Sequence, residues 1–167
     1  MLAVSSVPRP RLILMCGLPG SGKTTLARQL EVEISALRLC PDEWMTDVEV
    51  DLWDEAFRDR LEVRFWILAQ DVLRMGLNVI LESGFWLRSD RDEKRIGGHA
   101  LNASVELIIL DVGFEELVRR LEVRNAAGAH GSVAISRQQL ETMVPFFDVP
   151  DENERALFDS TMTERAE

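Results

Sequence analysis

The clearest chemical pattern in the sequence is the spacing Gly17-x-x-x-x-Gly22-Lys23-Thr24. Glycines lack a Cβ, so the backbone can curl until successive N–H groups converge on one anion. A helix that begins inside such a loop directs the positive end of its dipole at the same anion. The spacing therefore predicts a loop that binds the phosphates of a nucleoside triphosphate. Lys23 would reach the β- and γ-phosphates, and the Thr24 hydroxyl would ligate a bridging Mg²⁺.

The residues around this phosphate loop (residues 17–24) fit that interpretation. The apolar run 12–16 predicts a strand that ends on the loop, and Leu26, Leu30 and Ile34 repeat at the spacing of a helix buried on one side. A glycine-rich turn with an incidental lysine is the alternative, which these flanks disfavour. The candidate nucleotide-binding residues are Gly17, Leu18, Pro19, Gly20, Ser21, Gly22, Lys23, Thr24 and Thr25.

Two carboxylates are predicted to follow strands at one edge of a parallel sheet. Residues 36–40 predict a second strand, which places Asp42 just past its carboxyl end, and the apolar strand 78–81 delivers Glu82. Ligands of open α/β sheets bind at this edge. We interpret Glu82 as the carboxylate that supports the metal and Asp42 as the general base, although the sequence does not decide which of the two is the base. The alternatives are a helix N-cap for Asp42 and a solvent-facing strand end for Glu82.

Two arginines precede a segment that has no apolar period. Arg120 and Arg124 are four residues apart in a predicted helix and therefore project from one face. The Gly- and Ala-rich segment after them predicts a small mobile lid over about residues 125–136. Arg124 could then bind the nucleotide and, with Arg120, neutralise charge on the transferring phosphoryl group. A solvated basic stripe is the alternative.

Other side chains could contact the phosphoryl acceptor. Trp44 and Trp86 follow the strand-end carboxylates and could line a pocket for it, and Arg91 lies in the basic segment after Trp86. Ser89 with an acidic residue three positions later resembles a capping pair, which predicts that a helix starts there.

Length and composition indicate one domain. Of the 167 residues, 46% are hydrophobic and 29% are charged, which is an ordinary globular balance. We expect a disordered lead-in over residues 1–10, a single domain over 11–160 and a frayed tail over 161–167, with a short edge strand around Leu157. Residues 148–154 are expected to form an acidic connector.

Charge and cysteine usage bear on partners and location. The chain carries 19 basic and 29 acidic residues, a net charge of −10, so its field repels nucleic-acid backbones and disfavours nucleic acid as a partner. Cys16 and Cys40 lack partners at metal-ligand spacing and are expected to be buried hydrophobes. No membrane-spanning run or signal peptide is recognised, so we expect a cytoplasmic protein. The sequence does not indicate an oligomeric state.

The order of motifs resembles a known family. The phosphate loop, Asp42-Glu43 after the second strand, residues 79–86 with Arg91, and the Leu-x-x-Arg-Leu-x-x-Arg-Asn run that ends at Asn125 together look like the small P-loop predicted kinases, AAA-family ATP-binding proteins. Those are similar to chloramphenicol phosphotransferase, zeta toxins and the kinase domain of polynucleotide kinase. The resemblance covers nearly the whole chain after residue 10.

The resemblance implies a P-loop α/β fold with a five-stranded parallel sheet sandwiched by helices, and ATP and Mg²⁺ as cosubstrates. It also implies an aspartate base after the second strand, matching Asp42, and a lid arginine, matching Arg124. One position departs from the polynucleotide kinases, which hold the acceptor phosphate with an arginine three residues after that aspartate. Here the position is Met45, which argues against a nucleic-acid 5′ end.

These features predict an ATP-dependent phosphotransferase acting on a hydroxyl of a small molecule. Two alternatives stay open: a polynucleotide 5′-hydroxyl kinase, and a nucleotide-binding regulatory ATPase without an acceptor. The sequence identifies neither the acceptor nor a preference for ATP over GTP.

Overall fold

The computed structural model describes residues 8–128 and 130–166. Five strands lie in this part of the chain: β1 Arg11–Cys16, β2 Ala36–Leu39, β3 Asn78–Gly84, β4 Ser104–Val112 and β5 Ser160–Ala166. The helices between them are α1 Lys23–Glu33, α2 Pro41–Asp47, α3 Glu55–Arg74, α4 Arg88–Ala100, α5 Phe114–Ala127, α6 Arg137–Met143 and α7 Glu152–Arg155, and a 3₁₀ turn, Val144–Phe146, follows α6. Within those ranges no helix is both long and apolar enough to cross a membrane.

The strands form one parallel sheet in the order β2-β3-β1-β4-β5. The predicted five-stranded parallel sheet is therefore confirmed. Because every strand runs the same way, the segments that follow β1, β2 and β3 lie at the same edge of the sheet. That edge carries the phosphate loop, Asp42 and Glu82.

Helices cover both faces of the sheet, which explains the nearly continuous apolar strands. Helices α3 and α4 pack on one face, where Phe65, Ala69 and Leu73 meet alternate residues of β1, β3 and β4. Helix α1 packs on the other face through Ala27. A third apolar cluster joins Leu18 of the phosphate loop to α5 and α6.

Helix α4 differs from the prediction at its start. It begins at Arg88 with Leu87 at the N-cap and no side-chain cap, so the predicted Ser89 capping pair is wrong. Gly97 and Gly98 lie inside the helix, which continues to Ala100. A Cβ at Gly97 would lie 2.5 Å from the Trp66 ring, and one at Gly98 would lie 2.7 Å from Val105. The two glycines therefore permit close packing of α4 on α3 and on the sheet.

Arg9 and residues 160–166 have defined contacts in segments that were expected to be disordered or frayed. Residues 1–7, most of the predicted lead-in, lie outside the described residues, but the Arg9 guanidinium donates to the carbonyls of Ala103 (2.6 Å) and Asn102 (3.1 Å). The predicted frayed tail is wrong, because β5 continues the sheet there. The predicted strand around Leu157 lies three residues too early.

The helices that flank the predicted lid have clear boundaries. Helix α5 runs to Ala127 and ends at Gly128, which has a positive φ of 62°. Ser136 caps α6 in a capping box with Gln139. Within the predicted acidic connector, Asp151 caps the short helix α7.

Candidate nucleotide-binding and active site

The phosphate loop curls because its glycines take conformations that other residues avoid. Gly20 and Gly22 have φ values of +80° and +101°. Gly22 is the N-cap of α1, which has no side-chain cap, so the first amides of the helix face the inside of the loop. Ser21 is buried, and its Oγ has no hydrogen-bond partner among the described residues.

Lys23 lies inside this curl. Its Nζ donates to the carbonyl oxygens of Gly17 (2.9 Å) and Leu18 (2.8 Å). Burial lowers the pKa of Lys23 to about 8, against a smaller raising effect of the Glu82 and Asp42 carboxylates. The ammonium is therefore held by the loop carbonyls, and an anion beside it would stabilise its protonated form.

Thr24 and Glu82 bring two hard oxygen donors together. The Thr24 hydroxyl donates to Glu82 Oε1, and Glu82 is buried on β3. The donor chemistry fits Mg²⁺, which takes few protein ligands and completes its shell with waters and phosphate oxygens. Thr24 and Glu82 would be the residues that hold it.

Asp42 lies in the first turn of α2, not at its N-cap. Cys40 is the N-cap residue and Pro41 the first helical residue, so the capping role considered for Asp42 is wrong. Its half-exposed carboxylate accepts a hydrogen bond from Arg58 of α3 at 2.6 Å. Arg58 also donates to the Leu52 carbonyl at 3.3 Å.

The two arginines of α5 lie on different sides of the loop. Arg120 binds Glu116 at 2.6 Å and donates to the Ser21 carbonyl at 3.3 Å, so it contacts the phosphate loop directly. Arg124 donates to the Val133 carbonyl at 3.0 Å, and its buried Nε has no partner among the described residues. Burial lowers the pKa of Arg124, while the charge of Asp42 raises it. One buried donor of Arg124 thus lacks a hydrogen-bond partner within the described part of the chain.

The segment between α5 and α6 rests on α2. A Cβ at Gly131 would lie 2.9 Å from Glu43 Cγ and 3.3 Å from Glu43 Cα, so this backbone touches the start of α2. His130 Nε2 lies 3.0 Å from Asp47 Oδ1 at the other end of α2. Residues 130–136, hereafter the lid segment, therefore span the site from α5 to α2.

Three residues assigned to the acceptor have other contacts. The Trp86 Nε1 donates to the Gly17 carbonyl at 3.1 Å, so this ring braces the phosphate loop. Trp44 is 44% exposed and meets Phe65 edge to face at 4.9 Å. Arg91 is fully buried, and its donors are engaged within the protein.

Arg91 forms a bidentate pair with Glu154 at 2.6 and 2.9 Å. It also donates to the carbonyls of Phe85 (2.8 Å) and Trp86 (3.0 Å). This arrangement contradicts the assignment of Arg91 to the substrate. Arg91 holds the turn after β3 in place. Its buried charge is compensated because the Glu154 carboxylate and the two carbonyls accept its hydrogen bonds.

A cavity of about 320 Å³ adjoins the phosphate loop, and Asp42 is not among its lining residues. Gly22 and Thr25 form its edge with the loop, and Arg120 lines it from α5. Gln29 and the β5 residues Glu164 and Arg165 supply further polar groups. Its position at the start of α1 suits the nucleoside part of a nucleotide.

The site contains two arginines, Arg58 and Arg38, that were not predicted from the sequence. Arg58 was part of a helix pattern, and nothing in the sequence linked it to Asp42. Arg38 was hidden in a short strand, yet its side chain is only 8% exposed and contacts Glu31, Glu43 and Glu82. A charged residue that alternates with leucines in a strand beside a carboxylate-rich edge was the available signal.

The fold and this loop define the chain as a P-loop α/β domain. Residues 12–150 match the AAA domain family AAA_33, and the chain belongs to that family. No curated protein matches the sequence.

Solved structures share the fold at low sequence identity. A provisionally assigned kinase from Chloroflexus aurantiacus J-10-fl is 23% identical with a TM-score of 0.74, covering 95% of this chain and 89% of that one. Chaetomium thermophilum Kti12, in complex with ADP-AlF3, is 21% identical with a TM-score of 0.70 and coverages of 92% and 88%. Mycobacterium tuberculosis APS kinase CysC, in complex with AMPPNP and APS, is 21% identical with a TM-score of 0.61 and coverages of 93% and 89%.

Proposed function

We propose that this chain is an ATP-dependent phosphotransferase that moves the γ-phosphoryl group of ATP to a hydroxyl of a small molecule. The observation that supports this proposal is that the charge of Asp42 acts on both Lys23 and Arg124. It raises the pKa of each against the larger lowering caused by burial. A carboxylate, an ammonium and a guanidinium therefore share one site beside the phosphate loop, which is the set that phosphoryl transfer to an alcohol requires.

The nucleotide would lie along the loop. Its β-phosphate would accept hydrogen bonds from the amides at the start of α1, and its nucleoside would enter the cavity beside Gly22 and Arg120. Lys23 would leave the loop carbonyls to bind the β- and γ-phosphates. Mg²⁺ bound between Thr24 and Glu82 would supply charge neutralisation at those phosphates.

Asp42 would receive the proton of the acceptor hydroxyl. The acceptor oxygen forms a bond to the γ-phosphorus, the bond from that phosphorus to the β–γ bridging oxygen breaks, and ADP leaves. Arg58 would orient the Asp42 carboxylate through their 2.6 Å hydrogen bond. Arg124, whose pKa responds to the charge of Asp42, would bind the transferring phosphoryl oxygens.

The acceptor would approach from α2 and the start of α3. Asp42 and Arg58 belong to these two elements, and half-exposed Trp44 lies on α2 beside them. The net charge of −10 and Met45 both disfavour a nucleic-acid end. The APS kinase among the structural neighbours is a precedent on this fold for a small acceptor.

The test is the variant Asp42→Asn with Asp71→Asn, an exposed carboxylate on α3, as its control. A panel of hydroxyl-bearing metabolites, antibiotics and nucleosides is first screened for acceptor-stimulated ADP release. Asp42→Asn should bind ATP as the parent does but lose roughly 10²- to 10⁴-fold in transfer rate, whereas Asp71→Asn keeps full rate. Unchanged transfer in Asp42→Asn would remove Asp42 from the mechanism. ATP binding and slow hydrolysis with no acceptor would favour a regulatory nucleotide-binding module instead.

A further inference from the structure

Arg38 lies at the centre of three carboxylates that come from three different elements. Its Nε donates to Glu31 of α1 at 3.1 Å, its Nη1 to Glu82 of β3 at 2.8 Å and its Nη2 to Glu43 of α2 at 2.5 Å. The Arg38 side chain is 8% exposed and the Glu82 side chain 3%. Each of its three nitrogens therefore has a carboxylate partner, and the contact with Glu82 is the most buried of the three, since the Glu31 and Glu43 side chains are 38% and 18% exposed.

Strand pairing explains why Arg38 reaches Glu82. Arg38 is opposite Ile80 in the parallel pairing of β2 with β3, so Arg38 and Glu82, two residues further on, project from the same face of the sheet. Helix α1 covers that face, and Glu31 belongs to it. The planar guanidinium can bridge these partners because its N–H groups diverge in one plane.

Glu82 is held from both sides. Its Oε1 accepts the Thr24 hydroxyl and its Oε2 accepts Arg38. Without the second contact the carboxylate could rotate away from Thr24, because no other hydrogen bond to Oε2 is present among the described residues. Residues that orient metal-supporting carboxylates affect metal affinity without touching the metal.

We propose that Arg38 is a positioning residue that holds Glu82 in the orientation needed to support Mg²⁺ beside Thr24. The inference rests on the proposed nucleotide–metal site but not on the identity of the acceptor. Glu31 and Glu43 anchor the guanidinium, and Glu43 is itself held by Arg28 of α1 at 2.6 Å. Arg38 therefore links the Glu82 carboxylate to α1 and α2 and restricts its rotation.

The experiment measures ADP binding by calorimetry as a function of Mg²⁺ concentration. The parent is compared with Arg38→Met, Arg38→Lys and the control Arg74→Met, which breaks an exposed pair with Asp71 on α3. The Mg²⁺ concentration that gives half of the maximal gain in ADP affinity should be about tenfold higher or more in Arg38→Met than in the parent. ADP binding without Mg²⁺ should be unchanged in this variant. Arg74→Met should match the parent in both measurements.

Electrostatics alone predicts the opposite direction. Removing a cation from beside Glu82 would attract Mg²⁺ more strongly, so an unchanged or lower half-maximal concentration in Arg38→Met would overturn the proposal. Arg38→Lys retains the charge and supports folding, but its single ammonium cannot span three carboxylates, so it should also require more Mg²⁺. If the parent itself does not bind ADP with Mg²⁺, the proposed function fails. If the parent binds and both Arg38 variants match it, this inference alone fails.

Discussion

The indole Nε1 of Trp86 donates a hydrogen bond to the carbonyl oxygen of Gly17, 3.1 Å away. The Gly17 amide in turn donates to the Gly84 carbonyl at 3.0 Å. The first residue of the phosphate loop is thus fixed from the end of β3, the strand that carries Glu82. A Cβ at Gly84 would lie 3.0 Å from the indole nitrogen, so a glycine is needed where this ring crosses.

We expect Trp86→Phe to weaken nucleotide binding about three- to tenfold, because the loop loses one hydrogen bond of about 1 kcal/mol. The affinity for ATP, measured by calorimetry, checks this. Trp53→Phe, at a 44% exposed position before α3, should have no effect. If Trp86→Phe instead raised only the KM for the acceptor, Trp86 would contact the acceptor and would not support the phosphate loop.

The pKa of Lys23 predicts how nucleotide affinity changes with pH. Burial lowers it from 10.5 to about 8, and bound phosphates would raise it again because they stabilise the ammonium. Above pH 8, binding must therefore take up a proton, so affinity should fall with rising pH, by at most about tenfold per pH unit.

Equilibrium binding of ATP between pH 7 and 9.5 measures this slope. Lys23→Arg keeps a positive charge throughout that range, so it should bind more weakly but with a flatter profile. Equal slopes in the two proteins would show that Lys23 does not cause the pH dependence.

Gly131 and Gly128 form a matched pair for testing the lid segment. Both have positive φ, 68° and 62°, so alanine at either position should cost about 1–2 kcal/mol of stability through backbone strain. The two positions differ in their neighbours: a Cβ at Gly131 would meet Glu43, whereas a Cβ at Gly128 would meet nothing within 4 Å in the described part of the chain.

Gly131→Ala should therefore open the contact between the lid segment and α2, whereas Gly128→Ala should not. Amide hydrogen exchange of residues 130–136 should accelerate in Gly131→Ala alone, with a faster release of bound ATP. Equal exchange in both variants would mean that the contact with Glu43 does not hold the segment.

The buried pair of Arg91 with Glu154 predicts a large loss of stability. Arg91→Met leaves a carboxylate with 3% side-chain exposure without its partner, which should cost about 3–5 kcal/mol. Urea unfolding measures it, and Arg119→Met, which breaks an exposed pair with Glu116, should change stability by less than about 1 kcal/mol.

The double variant Arg91→Met with Glu154→Leu should recover part of that loss, because no buried charge is then left unpaired. If Arg91→Met kept its stability but lost acceptor binding, Arg91 would be a substrate residue after all.

Glu62 on α3 should lower stability above neutral pH. Burial raises its pKa to about 7, Arg58 and Lys94 oppose this, and Asp59 and Asp90 add to it. Between pH 4.5 and 7 the folded state therefore binds more protons than the unfolded state, so this residue makes stability fall as pH rises through that window.

Glu62→Gln removes this effect. It should stabilise the protein by about 1–2 kcal/mol at pH 8, after allowance for partial solvent exposure, and by almost nothing at pH 4.5. Thermal unfolding at the two pH values measures the difference, with the exposed Glu122→Gln as control. A gain of the same size at both pH values would rule out titration of Glu62 as the cause.

Local patterns predicted the elements whose signals were local. The curled phosphate loop and the apolar strands depend on neighbouring residues, and the structure has them. The contacts of Arg38 and Arg91 are not local: Arg38 is 44 positions from its partner Glu82. Arg91 is 63 positions from its partner Glu154. Neither spacing nor periodicity carries information about such pairs.

Two further features have the same origin. Gly97 and Gly98 have a low intrinsic helix propensity, but the close packing of Trp66 and Val105 against them favours glycine inside α4. The strand predicted around Leu157 begins three residues later in the structure, as β5. Its exposed, polar residues give a weak strand pattern, and its pairing with β4 determines where it lies.

Strand β5 brings Glu164 and Arg165 to the cavity beside Gly22. Because β5 stays in place through its pairing with β4, the wall that these two side chains give the cavity depends on an outer strand of the sheet. Peeling β5 away would therefore expose the proposed nucleoside side of the phosphate loop to solvent.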